Sequence, residues 1–260
     1  MLKGKTALVT GSTSGIGQGI AEALAAQGAN IVLNGFGDAE AIATLRREIA
    51  EKNGVKVTYD GADMTKPAEI AGMVRDAEVE FGAIDILVNN AGIQFVASIE
   101  DFPDERWDAV IAINLSSAFH TTKAALPAMR KKGWGRIINI ASAHGLVASP
   151  QKAAYVAAKH GILGLTKVTA LETGGSGITC NAVCPGWVLT PLVKQQIEDR
   201  AKKSGRSYDE EKYDLVVDKT PSKDFSTPEQ IGGLAVFLCS PAADQITGAP
   251  ISSDGGWTAQ

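Results

Sequence analysis

The chain has 260 residues, 45% hydrophobic and 21% charged, with a net charge of −4 at neutral pH. That length suits one large α/β domain, or two small ones, and no composition break before about residue 190 marks a linker, so one domain is expected. The mild negative charge argues against nucleic acid or an anionic membrane as partner, and no apolar run approaches transmembrane length.

Residues 6–10 read as a short apolar strand entered without a signal-peptide layout. Gly11-x-x-x-Gly15-x-Gly17 follows at once and opens an Ala-rich helix ending near Gln27. Strand, glycine loop, helix is the context in which backbone N–H groups face a pyrophosphate, so Gly11, Thr13, Ser14, Gly15, Ile16 and Gly17 are candidate cofactor contacts. A second strand over residues 30–34 leads to Gly35-Phe36-Gly37-Asp38, where an adenosine ribose would lie. A basic residue there accommodates a 2′-phosphate. Neither Ser14 nor this turn offers Lys or Arg, and Phe36 fills the space, so NAD is expected over NADP.

A solvated outer helix is expected over residues 39–53 and a third strand over 55–59. Two roles then fit Asp63: acceptor for an adenine amino group, or N-cap of the helix over residues 67–81. The fourth strand, residues 85–89, ends in Asn90-Ala91-Gly92, where small residues let the backbone approach a cofactor. Gln94 lies just beyond, at the carboxyl end of a strand, where open parallel sheets bind ligands. Residues 105–132 have a long helical pattern interrupted by Asn114, which on residue type alone reads as solvent-facing.

The fifth strand, residues 137–141, delivers Ser142 toward a helix on which Tyr155 and Lys159 project one turn apart from one face. A phenol with a pKa near ~10 gives up its proton poorly, whereas an ammonium on the next turn favours the phenolate. Lowering the pKa by about two or three units requires some 3 to 4 kcal/mol, within reach of a desolvated charge. Tyr155 is therefore expected to act as acid or base at an alcohol or carbonyl oxygen, with Ser142 donating to the same oxygen.

The sixth strand, residues 177–183, leads into Pro185-Gly186-Trp187-Val188, with Thr190 close behind, a loop expected to flank a nicotinamide. Cys180-x-x-x-Cys184 has no matching Cys or His pair, so with Cys239 these read as reduced core thiols of a cytoplasmic protein and no metal is expected. The polar stretch from Lys194, within residues 187–224, reads as a mobile helical lid too short and too charged to own a core. Thr227 is the expected N-cap of a last helix, with Pro228 in its first position.

Taken together, Thr10-Gly11-x-x-x-Gly15-x-Gly17, Asn89-Asn90-Ala91-Gly92, Asn114, Ser142, Tyr155-x-x-x-Lys159 and Pro185-Gly186 resemble the short-chain dehydrogenase/reductase family over essentially the whole chain. The resemblance implies a single-domain α/β Rossmann fold: a doubly wound, seven-stranded parallel sheet with helices on both faces, ordered 3-2-1-4-5-6-7. It implies hydride transfer to or from a nicotinamide cofactor, with Tyr155 as acid/base, Ser142 orienting the substrate oxygen and Lys159 holding the ribose while lowering the Tyr155 pKa. Asn114 would anchor a water in the proton relay, against its solvent-facing reading, and a homotetramer is implied.

Within the family, residues 33–38, 90–94, 143–147 and 184–188 resemble the bacterial D-3-hydroxybutyrate dehydrogenase group, which implies reversible NAD-dependent oxidation of that small hydroxy acid to acetoacetate. Gln94, His144, Lys152 and Gln196 would meet its carboxylate, with Lys152 as the cation, while Trp187 and Trp257 wall a pocket for its methyl group. Two other readings stay open: a relative acting on another small hydroxy acid or a 3-oxoacyl thioester, and a nicotinamide-binding regulator without turnover.

Overall fold

Short apolar runs bounded by glycine and asparagine turns form the strands β1 Thr6–Val9, β2 Asn30–Asn34, β3 Val57–Asp60, β4 Ile86–Asn89, β5 Gly135–Ile140, β6 Ile178–Pro185 and β7 Pro250–Ser253. The structure, a computed structural model, describes residues 1–259. Between the strands run helices α1 Gly15–Ala26, α2 Ala39–Asn53, α3 Pro67–Phe81, α4 Asp104–Ile111, α5 Ser117–Lys132, α6 Ala153–Glu172, α7 Pro191–Ser204, α8 Tyr208–Val216 and α9 Pro228–Leu238. All strand pairs are parallel, in the order β3-β2-β1-β4-β5-β6-β7, so the expected doubly wound Rossmann sheet is the one observed.

Side-chain alternation sorts each strand between two layers. Val9, Leu33, Val88 and Ile140 pack with Ile20 and Leu24 of α1 and Ile231 of α9, while Leu8, Val32 and Leu87 pack with Ile70 and Met73 of α3 and Met129 of α5. The order reverses between β2-β1 and β4, which opens a crevice at the carboxyl ends of the strands. A buried polar chain fastens that end of the molecule: Thr121 donates to Asn89, Asn89 to Asn139, and Asn139 to Thr166 of α6, at 2.6, 2.8 and 2.8 Å.

Local sequence signals set the helix ends. Thr227 and Gln230 form a reciprocal capping box with Pro228 in the first turn, as expected. Asp63, in contrast, does not cap α3, whose N-cap is Lys66; its carboxylate instead accepts from Thr65 N and Oγ1 at 2.9 and 2.8 Å, closing its own turn. The helical pattern across residues 105–132 is interrupted by a π-helical turn, Ala112–Ser116.

The expectation that the polar stretch from Lys194 to about Asp224 lacks a core does not hold. Ile197, Val216 and Phe225 are buried together, surrounded by Trp187, Leu189, Val193, Tyr208 and Leu215. The sequence hid this because α7 buries one apolar residue, Ile197, and α8 one, Val216, too few for a periodic stripe. Buried Glu211 is offset by Arg200 Nε at 2.9 Å and Ser204 Oγ at 2.7 Å.

Candidate active site

The glycine loop follows β1 directly. Gly11 and Gly15 have φ of +61° and +59°, and a Cβ on Gly17 would lie 2.3 Å from Gly11 O, so this close backbone packing admits no side chain at Gly17. Asn90 Nδ2 holds the loop from below, donating to Thr10 O and Gly11 O at 2.9 Å each, while Ala91 N donates to Thr10 Oγ1 at 3.0 Å. Ser14, at the N-cap of α1, makes no side-chain capping bond, which leaves the first-turn N–H groups for a ligand. Ile16 packs into the core behind the loop, and Thr190 places its methyl group 3.4 Å from where a Gly15 Cβ would stand. Beside the loop, Thr13, Ser14, Phe36, Asp38, Glu40 and Glu48 line a groove of about 750 Å³, ample for a nucleoside. Thr13 Oγ1 donates to Phe36 O at 2.9 Å, and the Phe36 ring stands exposed over the groove. The cradle, the uncapped helix start and the groove fit a dinucleotide.

Across the crevice, Val188 is buried and bridges to Ser226, while Gly186, just after Pro185, lies so near Asp254 that a Cβ would meet its Cα at 2.9 Å. Gly92 similarly abuts Asn114, whose Oδ1 lies 2.5 Å from where a Cβ would stand. Asn114 is buried, not solvent-facing. Its Nδ2 donates to Ile93 O at 2.8 Å and to Val110 O at 2.9 Å. Val110 is the residue four back in the helix, so the side chain competes for a ladder carbonyl where the backbone widens into its π turn. Asn114 Oδ1 is buried without a hydrogen-bond partner, an acceptor positioned for a water.

Ser142 closes β5 and caps the 3₁₀ turn Ala143–Gly145, its Oγ accepting from His144 N at 3.2 Å. Lys159, buried on α6, donates from Nζ to Ile140 O at 2.8 Å and stands 5.6 Å from the Tyr155 ring centroid. The electrostatics differ from the sequence expectation in sign. Burial pushes the Tyr155 phenol up, and the Ser142 hydroxyl beside it offsets only part of this. Burial also brings Lys159 down to about 8, with Cys184 pulling the other way. The protein alone therefore favours the neutral phenol, because desolvation outweighs the hydrogen bond with Ser142.

His144 is buried with its ring edge-on to Tyr155, 6.0 Å between centroids, and to Trp257, 5.1 Å. Its Nε2 meets Ser149 Oγ at 3.0 Å, and that hydroxyl also accepts from Lys219 Nζ at 3.2 Å. Lys152, half-buried at the start of α6, is pushed down by burial and by Lys219. Gln94 and Gln196 are exposed and make no side-chain hydrogen bond among the described residues. Trp187 belongs to the core of the α7–α8 segment, 6.1 Å from Phe225. The structure thus brings Ser142, Tyr155, Lys159, His144, Lys152 and Trp257 into one neighbourhood and adds Ser149 and Lys219. Lys219 sits in a stretch rich in lysine and aspartate, and its sequence neighbours carry no signal that distinguishes it.

Burial, followed by repulsion from Lys152, Lys219 and His160, holds His144 at about 4 instead of 6.5. A depressed folded pKa contributes stability that is fully present above the unfolded value and is lost as pH falls toward the folded one. Between pH 7 and 5 the protein should therefore lose about 2 kcal/mol more stability than a His144→Gln variant, read from urea midpoints. Equal losses would mean that the imidazole is not held neutral.

A family model described as "Enoyl-(Acyl carrier protein) reductase" matches residues 11–258. Over 261 residues, covering 100% of both chains, the protein is 66% identical to the D-beta-hydroxybutyrate dehydrogenase of Cupriavidus necator. It is 59% identical to the protein of the same name from Rhizobium meliloti, over 98% of this chain and 99% of that one. Among solved structures, the L-sorbose reductase of Gluconobacter frateurii, complexed with NADPH and L-sorbose, aligns with a TM-score of 0.95 at 31% identity, over 100% of this chain and 98% of that one.

Proposed function

The chain belongs to the short-chain dehydrogenase/reductase family of nicotinamide-dependent oxidoreductases, and from that premise we propose that it oxidises D-3-hydroxybutyrate reversibly to acetoacetate, with NAD as hydride acceptor. The observation that carries the reading is the grouping of Ser142, Tyr155 and Lys159 at the end of β5, with His144 packed on the phenol ring and Lys152 close to it. The names of the relatives from C. necator and R. meliloti support the substrate.

The glycine loop, Asn90, Ala91, Gly92 and the turn from Pro185 to Thr190 would hold the cofactor, with Asp63 toward the adenine. When bound, the nicotinamide supplies the hydride acceptor. Tyr155 handles the proton at the reacting oxygen: as a neutral phenol it donates during reduction, and as the phenolate it accepts the hydroxyl proton during oxidation. Ser142 donates to the same oxygen as its charge develops. Lys159, with an ammonium made easier to deprotonate by burial, and a water on Asn114 Oδ1 carry the proton onward. His144, neutral in its pocket, and Lys152 receive the carboxylate, Trp257 walls the methyl side, and Gln94 and Gln196 reach it from the exposed rim.

NAD is favoured over NADP because Asp38, Glu40 and Glu48 line the ribose groove, which contains no Lys or Arg, so a 2′-phosphate would meet carboxylates and no cation. Exposed Val168 and Leu171 on α6 support assembly into a homotetramer through that helix. Three buried thiols, with Cys180 and Cys239 pushed up to about 12 by burial, support a reducing cytoplasm. No helix among the described residues is long and apolar enough to cross a membrane.

Absorbance of the reduced nicotinamide tests the reading, comparing D- and L-3-hydroxybutyrate, each with NAD and with NADP. Reduction is expected with the D-acid and NAD, at least about a hundredfold faster than with NADP, since like-charge juxtaposition costs several kcal/mol. No reduction in any arm would overturn the substrate assignment, and equal rates with NADP the cofactor assignment.

A further inference from the structure

Lys219 follows α8 in the chain, yet its ammonium is seated 70 positions away on the body of the molecule, donating to Ser149 Oγ at 3.2 Å. That hydroxyl also meets His144 Nε2, and the Lys219 ammonium lies 5.4 Å from the Trp257 ring centroid, which itself packs edge-on against His144. Lys219 therefore touches the wall of the pocket that holds Tyr155. An ammonium has donors only, so it brings net positive charge there with no capacity to accept. Among the described residues neither Lys219 nor Lys152 is in an ion pair, although Asp218 adjoins Lys219 in the chain.

Among the described residues the two cations gather about one imidazole with no carboxylate paired to either, an electrostatic cost that an anionic ligand removes. Burial first, and then Lys219, lowers Lys152, and burial followed by both lysines lowers His144. The α7–α8 segment has its own small core, so it can carry Lys219 as a unit.

We infer that Lys219 is a second carboxylate-binding cation, paired with Lys152 across His144 and Ser149, and that it sets the preference of the site for acids over uncharged alcohols of the same size. The inference rests on the hydroxy-acid reading above. The geometry gives the two lysines different places: Lys152 is fixed at the start of α6, and Lys219 arrives on a separate helical segment. A substrate carboxylate would then tie that segment to the body of the protein.

Lys219→Met tests this against Lys219→Arg, with thermal unfolding confirming that each is folded. For D-3-hydroxybutyrate with NAD, kcat/KM should fall about tenfold or more in Lys219→Met, mainly through KM, as expected for loss of a charged hydrogen-bond partner. The methyl ester of the same acid should change less than about twofold, and Lys219→Arg should recover most of the loss. Equal losses with acid and ester, or no loss with either, would overturn the inference. Acetate is the second probe, titrated into the NAD-loaded protein and read from the His144 imidazole NMR shift. Its Kd should rise about fivefold or more in Lys219→Met. If the unaltered protein reduces no NAD with the hydroxy acid but acetate binding still depends on Lys219, the function reading fails and the cation site stands. If acetate binding is indifferent to Lys219, or absent from the unaltered protein, the cation site fails.

Discussion

Tyr155→Phe should lower hydride transfer by about a thousandfold while leaving nicotinamide affinity within about twofold, because a positioned acid/base contributes roughly 10² to 10⁴ in rate. The variant keeps what the ring does structurally. The edge-on packing against His144 at 6.0 Å and the 5.6 Å approach of Lys159 Nζ both involve the aromatic ring, and the hydroxyl that is removed meets the Ser142 side chain. What is lost is the proton at the reacting oxygen. Burial favours the neutral phenol, so the loss should appear in both directions, and most directly in reduction, where Tyr155 is the donor. The check is stopped-flow absorbance of the reduced cofactor together with a fluorescence titration of its binding. Turnover above about a tenth of the original would mean that another group delivers the proton.

Gly17→Ala should abolish cofactor binding at working concentrations. The added Cβ would stand 2.3 Å from Gly11 O, a backbone atom with no freedom to rotate away, and 2.5 Å from Asn90 Nδ2. These two atoms are hydrogen-bonded to each other at 2.9 Å, so relieving one contact pulls on the other and shifts the loop against β4. Overpacking of this kind costs about 1–3 kcal/mol of stability. The larger effect is on the ligand: a displacement of about 1 Å in a positioning element costs on the order of a hundredfold. A contrast within the same chain is Gly72→Ala on α3, where the new methyl would meet only the end of the Arg75 side chain at 3.6 Å. That change should stabilise the protein by about 0.5–1 kcal/mol and leave cofactor affinity alone. If Gly17→Ala binds reduced nicotinamide normally, the loop is not the pyrophosphate cradle.

Asn114 illustrates the limit of reading residues singly. On type and position it belonged on a solvated helix face, and the family pattern alone pointed inward. The structure buries it because α4, the π turn and α5 pass beneath the loop after β4, which brings Ile93 O to its amide. Lys219 is a sharper case, since its contact with Ser149 crosses 70 residues and leaves no trace in the residues around it.

The sequence by itself determined the features that depend on residues a few positions apart: the strands through their apolar runs, the glycine loop, the Thr227 cap, and Tyr155 one turn from Lys159. With the family pattern, it also determined the sheet order. The tertiary structure decided what depends on distant segments covering one another: the burial of Asn114, the core of residues 187–224, the seat of Lys219 and the direction in which Tyr155 is shifted. Periodicity and capping are properties of the local chain, whereas desolvation and Coulombic fields are set by whichever other segments exclude water from a group, and those meet only in the folded protein.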